Sequence, residues 1–111
     1  MTDDRNPSAA LIYITFPTLA EAESVGQQLV QRRLVACVNI LPGMVSIYRW
    51  KDAVERAEEV VMIAKTPMSL ADDVTSAVRA LHSYETPAIV TVEARQVEPG
   101  YLAWIRDSTT G

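Results

Sequence analysis

The stretch "ACVNILPGMVSIYRWKDAVERAEEVVMIAKT" (residues 36–66) decides how this chain folds. Two runs rich in β-branched and aromatic residues, "ACVNIL" and "MVSIYRW", are separated only by Pro42-Gly43, and a third, "EEVVMIAKT" (58–66), follows the short turn "WKDAVE". Proline has no N–H to offer a ladder, so Pro42-Gly43 marks either a bulge in one long edge strand or a break between two short ones. Both readings predict a long antiparallel hairpin.

The elements on either side fix its context. Upstream, "LIYITF" (11–16) is a short continuous apolar run of the kind that forms a buried central strand. In "PTLAEAESVGQQLVQRR", Thr18 and Glu21 have capping-box spacing, and Ala22, Val25 and Leu29 share one face of an amphipathic helix that Gly26 slightly weakens. Downstream, Thr66-Pro67 reads as an N-cap followed by an N1 proline, opening a second helix with Leu70, Val74, Ala77, Val78 and Leu81 on one face. Pro87 drives Thr86 toward extended geometry and stops that helix. "AIVTVEA" (88–94) then reads as a fourth strand and "EPGYLAWIRDS" as a short C-terminal helix.

This order predicts an α+β domain, a ferredoxin-like βαββαβ sandwich with both long helices on one face of an antiparallel sheet. Nothing in the sequence covers the other face, and an uncovered apolar sheet invites self-association.

The 111 residues suit one domain, read as residues 11–111 behind a loose polar tail at 1–10. A net charge of −4 and scattered Lys and Arg argue against nucleic-acid binding, which needs a clustered basic face. The adjacent Arg32 and Arg33 fall where a helix C-terminus favours cations. A membrane partner is not expected, since there is no 18-residue apolar run, and the acidic start does not read as a signal peptide. The single cysteine, Cys37, suits a reducing compartment, so the expected location is cytoplasmic.

Candidate chemistry gathers at "LHSYETPA" (81–88), which holds the only histidine, His82. One cysteine and one histidine cannot close a tetrahedral zinc site within a single chain. Cys37 with His82 as base would require an exposed, activated thiol, yet Cys37 sits in an apolar strand run where cysteine is usually inert. Glu58 and Glu59 are strand neighbours that point to opposite faces and cannot share a proton; solvent or lysines are their expected partners. No glycine-rich phosphate loop occurs. Tyr48, Trp50, Tyr101 and Trp104 are amphipathic aromatics suited to an oligomer contact or a ligand wall. No catalytic constellation emerges, and a non-enzymatic protein with no required cofactor is expected.

The stretches "RRLVACVNILPGMVSIYRW" (32–50), "EEVVMIAKT", "HSYETPAIV" (82–90) and "YLAWI" (101–105), in that order, resemble the CutA divalent-cation-tolerance family. The resemblance implies a ferredoxin-like subunit in a homotrimer, knitted by strand edges and the long hairpin. It also implies a cytoplasmic protein tied to tolerance of copper and other divalent cations. Its trimer is similar to that of PII-type signalling proteins, which implies, as the alternative, a small anionic metabolite bound between subunits by Lys65 and walled by Trp50 and Tyr84. Residues matching the family pattern are Cys37 and Asn39 in "ACVN", Tyr48 and Trp50 in "YRW", Lys65 in "KT", His82, Tyr84, Glu85 and Pro87 in the opening motif, and Tyr101 and Trp104 in "YLAW". His82 and Glu85 are the implied metal ligands; Cys37, Tyr48, Trp50, Lys65, Tyr84 and Trp104 are the implied residues of an inter-subunit ligand cleft. Ser83 replaces a usual proline, Asp52 a common glycine, and Thr15 and Leu81 stand where some copper-linked members carry a cysteine and a second histidine. Only weak copper binding is therefore implied.

Overall fold

A computed structural model describes residues 8–110. The chain runs β1 (Ala9–Phe16), α1 (Leu19–Gln31), β2 (Cys37–Trp50), β3 (Ala53–Pro67), a 3-10 turn (Met68–Leu70), α2 (Ala71–Leu81), β4 (Ile89–Ala94) and α3 (Pro99–Thr109). The four strands form one antiparallel sheet in the order β2-β3-β1-β4. This is the ferredoxin-like arrangement that the element order predicts.

Alternation along β1 separates the two faces. Ala10, Ile12, Ile14 and Phe16 join Val25 and Leu29 of α1 and Val74 and Val78 of α2 in one core. Leu11, Tyr13 and Thr15 look the other way. Only α3 crosses that second face, where Ile105 packs with Ala9 and Ala36 at one end. The rest stays open, with Leu11, Tyr13, Leu41, Val90 and Val92 all exposed.

β2 is one continuous strand, and its register slips by one residue between Leu41 and Met44. Of the two readings of Pro42-Gly43 the bulge is correct, and Gly43 has the positive φ (84°) that favours glycine. At the far end Trp50 pairs with Ala53, leaving Lys51 and Asp52 as a two-residue loop with φ of 50° and 68°.

Some boundaries move. β1 opens at Ala9, two residues before the expected Leu11; Ala9 and Ala10 are buried, and the Ser8 carbonyl accepts the Met68 N–H at 2.8 Å. Residues 8–10 therefore belong to the domain, while positions 1–7 of the expected tail lie outside the described residues. Thr66 is not a helix cap: β3 runs on to Pro67, and the buried Thr66 Oγ1 donates to the Leu34 carbonyl at 2.7 Å. α2 begins only at Ala71, after the 3-10 turn.

Gly26 also departs from its expected role. Its backbone faces β2 and β3 so closely that a Cβ would lie 2.8 Å from Val38 Cγ2 and 3.2 Å from Met62 Cε. The glycine lets α1 settle on the sheet.

Candidate functional site

The histidine is placed first. Its Nε2 lies 2.7 Å from the Thr15 carbonyl, and its Nδ1 lies 3.0 Å from the Tyr84 amide nitrogen. An amide can only donate, so Nδ1 accepts and Nε2–H donates to the carbonyl; the ring is the neutral Nε2–H tautomer. It stacks on Phe16 at 4.5 Å between centroids, and its side chain is fully buried. His82 is thus a clip between the end of β1 and the loop after α2.

Glu21 completes that clip. Thr18 Oγ1 accepts the Glu21 N–H at 3.1 Å, as a helix cap should. The Glu21 carboxylate does not complete the capping box; it turns outward, accepts the Ser83 N–H at 2.9 Å, and lies 3.7 Å from His82 Nδ1.

The loop so held carries Tyr84 to the open face of the sheet. There the hydroxyl donates to Glu59 Oε2 at 3.2 Å, and Ser46 Oγ donates to Oε1 at 2.7 Å. Glu59 shares this face with Tyr48 and Trp50 through the β2–β3 register. Glu58 points oppositely, 3.6 Å from Arg56. The hairpin and the loop enclose a cleft of about 700 Å³ lined by Tyr48, Trp50, Tyr84, Glu59 and Glu85, with Thr15 at its floor. Burial and the Glu59 charge push the Tyr84 hydroxyl above the usual tyrosine pKa, so it stays protonated and donating.

The remaining expected residues gather elsewhere. Cys37, Lys65 and Leu11 lie in one row across the sheet. Lys65 Nζ donates to the Tyr101 hydroxyl at 3.2 Å and lies 5.5 Å from that ring's centroid. Cys37 Sγ is 3.9 Å from the same hydroxyl, and Tyr101 stacks on Trp104 at 5.5 Å. From the Lys65 row to the Glu59 row is six residues of β3, about 20 Å. Within one chain, then, the expected residues form two clusters, and a ligand held jointly by Lys65, Trp50 and Tyr84 of the same copy has no single site. Cys37 and His82 are separated likewise, by about 13 Å from the Leu11 row to Thr15.

The sequence suggests a solvated or lysine-paired Glu59; instead the carboxylate is bonded to Ser46 and Tyr84. Its strand partner is Met44, and the bulge in β2 is what puts Ser46, the next β2 residue on that side, on the same face. The donor set does not fit a tight metal site. Among the described residues no three of His, Cys, Asp and Glu gather, and the one imidazole already uses both nitrogens.

An antiparallel β2-β3-β1-β4 sheet with two helices on one face and a hairpin reaching beyond them defines a ferredoxin-like domain. Comparison with known proteins narrows this further. Residues 10–108 match the family model described as CutA1 divalent ion tolerance protein, and the chain belongs to that family. It is 37% identical over 99 residues to the divalent-cation tolerance protein CutA of Thermus thermophilus, covering 89% of this chain and 96% of that one. It is 36% identical over 102 residues to mouse Protein CutA, covering 92% of this chain and 58% of the relative, so it spans little more than half of that protein. Among solved structures, the periplasmic divalent cation tolerance protein CutA of Archaeoglobus fulgidus superposes with a TM-score of 0.88 at 37% identity, covering 92% and 99% of the two chains.

Proposed function

We propose that this chain is a homotrimeric binding protein, not an enzyme, that takes up divalent cations weakly, copper among them, and serves tolerance of such ions in the cytoplasm. The observation that carries the assembly is the open sheet face. Leu11, Tyr13, Leu41, Val90 and Val92 form one apolar surface beside the strand edges, and single domains seldom leave so much of it in water. Two further copies would cover it.

Weak binding follows from the donor set. Copper(II) prefers imidazole, and His82 could coordinate only by giving up its bond to Thr15 or to Tyr84. Exposed carboxylate oxygens remain, with Glu85 the most open of them at the cleft. Light scattering should give three times the 12.2 kDa mass of the chain. Calorimetric titration of copper should show weak binding that Glu85→Gln diminishes. A strong isotherm that Glu85→Gln leaves unchanged would remove Glu85 from the reading.

One observation favours the second reading, a small anion bound between subunits. The Lys65 ammonium has no carboxylate partner among the described residues, and its bond goes to a neutral phenol. Under that reading, anionic metabolites raise the melting temperature of the wild type and not of Lys65→Met. Failure of every anion tried to shift it would leave the cation reading alone.

A further inference from the structure

The cleft between the hairpin and the 82–88 loop has a chemistry of its own. Its walls are three aromatic side chains, Tyr48, Trp50 and Tyr84, and its charged groups are two carboxylates, Glu59 and Glu85. No cationic side chain lines it. Glu59 sits half-buried, and both of its oxygens are held by neutral hydroxyls, so its negative charge is oriented yet uncompensated. No ion pair reaches it among the described residues.

An electron-rich aromatic wall beside a fixed carboxylate attracts one ligand class above others, a soft cation with apolar substituents. Ring faces draw such a charge through their quadrupole, and the carboxylate supplies the counter-charge. A small inorganic anion would meet two like charges here. A bare divalent metal would find Glu59 already taken by two hydroxyls and only Glu85 open, with no nitrogen donor, which suits no more than the weak binding proposed above. One cation already lies near this wall, for Lys51 Nζ is 5.7 Å from the Trp50 centroid, and an incoming cation shares the ring with it. Burial first, and the Glu59 charge second, raise the Tyr84 pKa, so its hydroxyl stays a donor to Glu59.

We propose that this cleft is a binding site for a small organic cation of the alkylammonium type, seated against Trp50 and Tyr48 with Glu59 as its counter-charge. The volume of about 700 Å³ lies within the usual range of small-molecule sites. This inference shares its cleft with the weak metal reading through Glu85 and rests on the cleft staying open in the assembled protein; Glu59→Gln and Trp50→Leu test it, whereas Glu85→Gln and the mass measurement test the other two readings.

The test uses the full chain labelled with nitrogen-15 and two probes of similar shape, tetramethylammonium and the uncharged tert-butanol, with sodium chloride at matched ionic strength. The chain has two tryptophans, and only Trp50 lines the cleft. The Trp50 indole resonance is expected to move saturably with tetramethylammonium, while Trp104 stays still. Glu59→Gln should weaken binding about threefold to tenfold, and Trp50→Leu, an exposed position, should weaken it comparably by calorimetry. Lys65→Met, in the other cluster, should change nothing. Equal shifts with tert-butanol, no saturable shift with tetramethylammonium, or unaltered affinity in Glu59→Gln would each overturn the proposal. The absence of binding would mean that the aromatics serve contacts between copies.

Discussion

Gly26 illustrates how a single residue can oppose a general rule. In an exposed helix, Gly→Ala gains about 0.5–1 kcal/mol from backbone entropy. Here the added methyl would meet Val38 Cγ2 at 2.8 Å, and valine's stiff χ1 leaves that contact little room to relax. Overpacking costs about 1–3 kcal/mol, so the clash wins. Gly26→Ala should lower stability by about 1 kcal/mol, measured as a reduced midpoint in urea with unchanged slope. His82 follows the same logic through polar groups. His82→Leu keeps the apolar volume but strands the Thr15 carbonyl and the Tyr84 N–H, at a cost of about 2–4 kcal/mol. Denaturant unfolding would measure that loss; one below about 1 kcal/mol would mean water replaces the clip. Tyr84 carries the alkaline pH dependence. Burial first, and then the Glu59 charge and bond, raise its pKa, so the protonated side chain stabilises the fold below the ordinary tyrosine pKa and that contribution is lost as pH climbs through the higher folded value. Glu59→Gln removes the charge that opposes ionisation and should bring Tyr84 back toward ordinary titration, read by ultraviolet absorbance against Tyr84→Phe.

The hairpin is the element on which the site depends, and it carries a local cost at its tip. Lys51 and Asp52 both have positive φ, as a type I′ turn requires, and neither is the glycine that fits the second position best. Left-handed geometry costs an L-residue about 1–2 kcal/mol, partly offset by the greater unfolded freedom of glycine. Asp52→Gly should therefore raise stability by about 0.5 kcal/mol, seen as a higher thermal midpoint with the cleft residues unmoved. At this scale the sequence was readable where pattern and turn chemistry agree. Ala22, Val25 and Leu29 are buried as the helical spacing requires, and Pro42-Gly43 does interrupt the register. Thr66-Pro67 misled because a strand end and a helix start share the same local grammar. Long-range pairing with Ala9 and Ala10 decided for the strand. The cleft was legible only in part. Motif and residue type point to Tyr48, Trp50, Tyr84 and Glu85, but nothing local says that Lys65 lies about six strand residues from their centre or that Glu59 lies within it.

The molecule as a whole is more extended than its length warrants. Its radius of gyration is 15.1 Å, against about 13 Å for a compact domain of this size, and its longest dimension is 49 Å. The excess comes from the hairpin, which exposes Ile47 and Val54 on the face away from the cleft. A two-stranded ribbon is marginally stable at best alone in water. The open sheet face raises the same demand, since Val92 pairs with Leu11 of β1 and both stay exposed on the part of that face that α3 leaves uncovered. If both are covered by sister copies, folding and assembly are linked, and the thermal midpoint must rise with protein concentration. Val92→Lys places an ammonium in the middle of that face, where burial without a partner costs several kcal/mol. The variant should fall to the 12.2 kDa mass of one chain in light scattering, and its thermal midpoint should drop and no longer depend on concentration. A Val92→Lys protein that keeps the mass of three chains would show that the copies meet elsewhere, leaving the apolar face to a different partner.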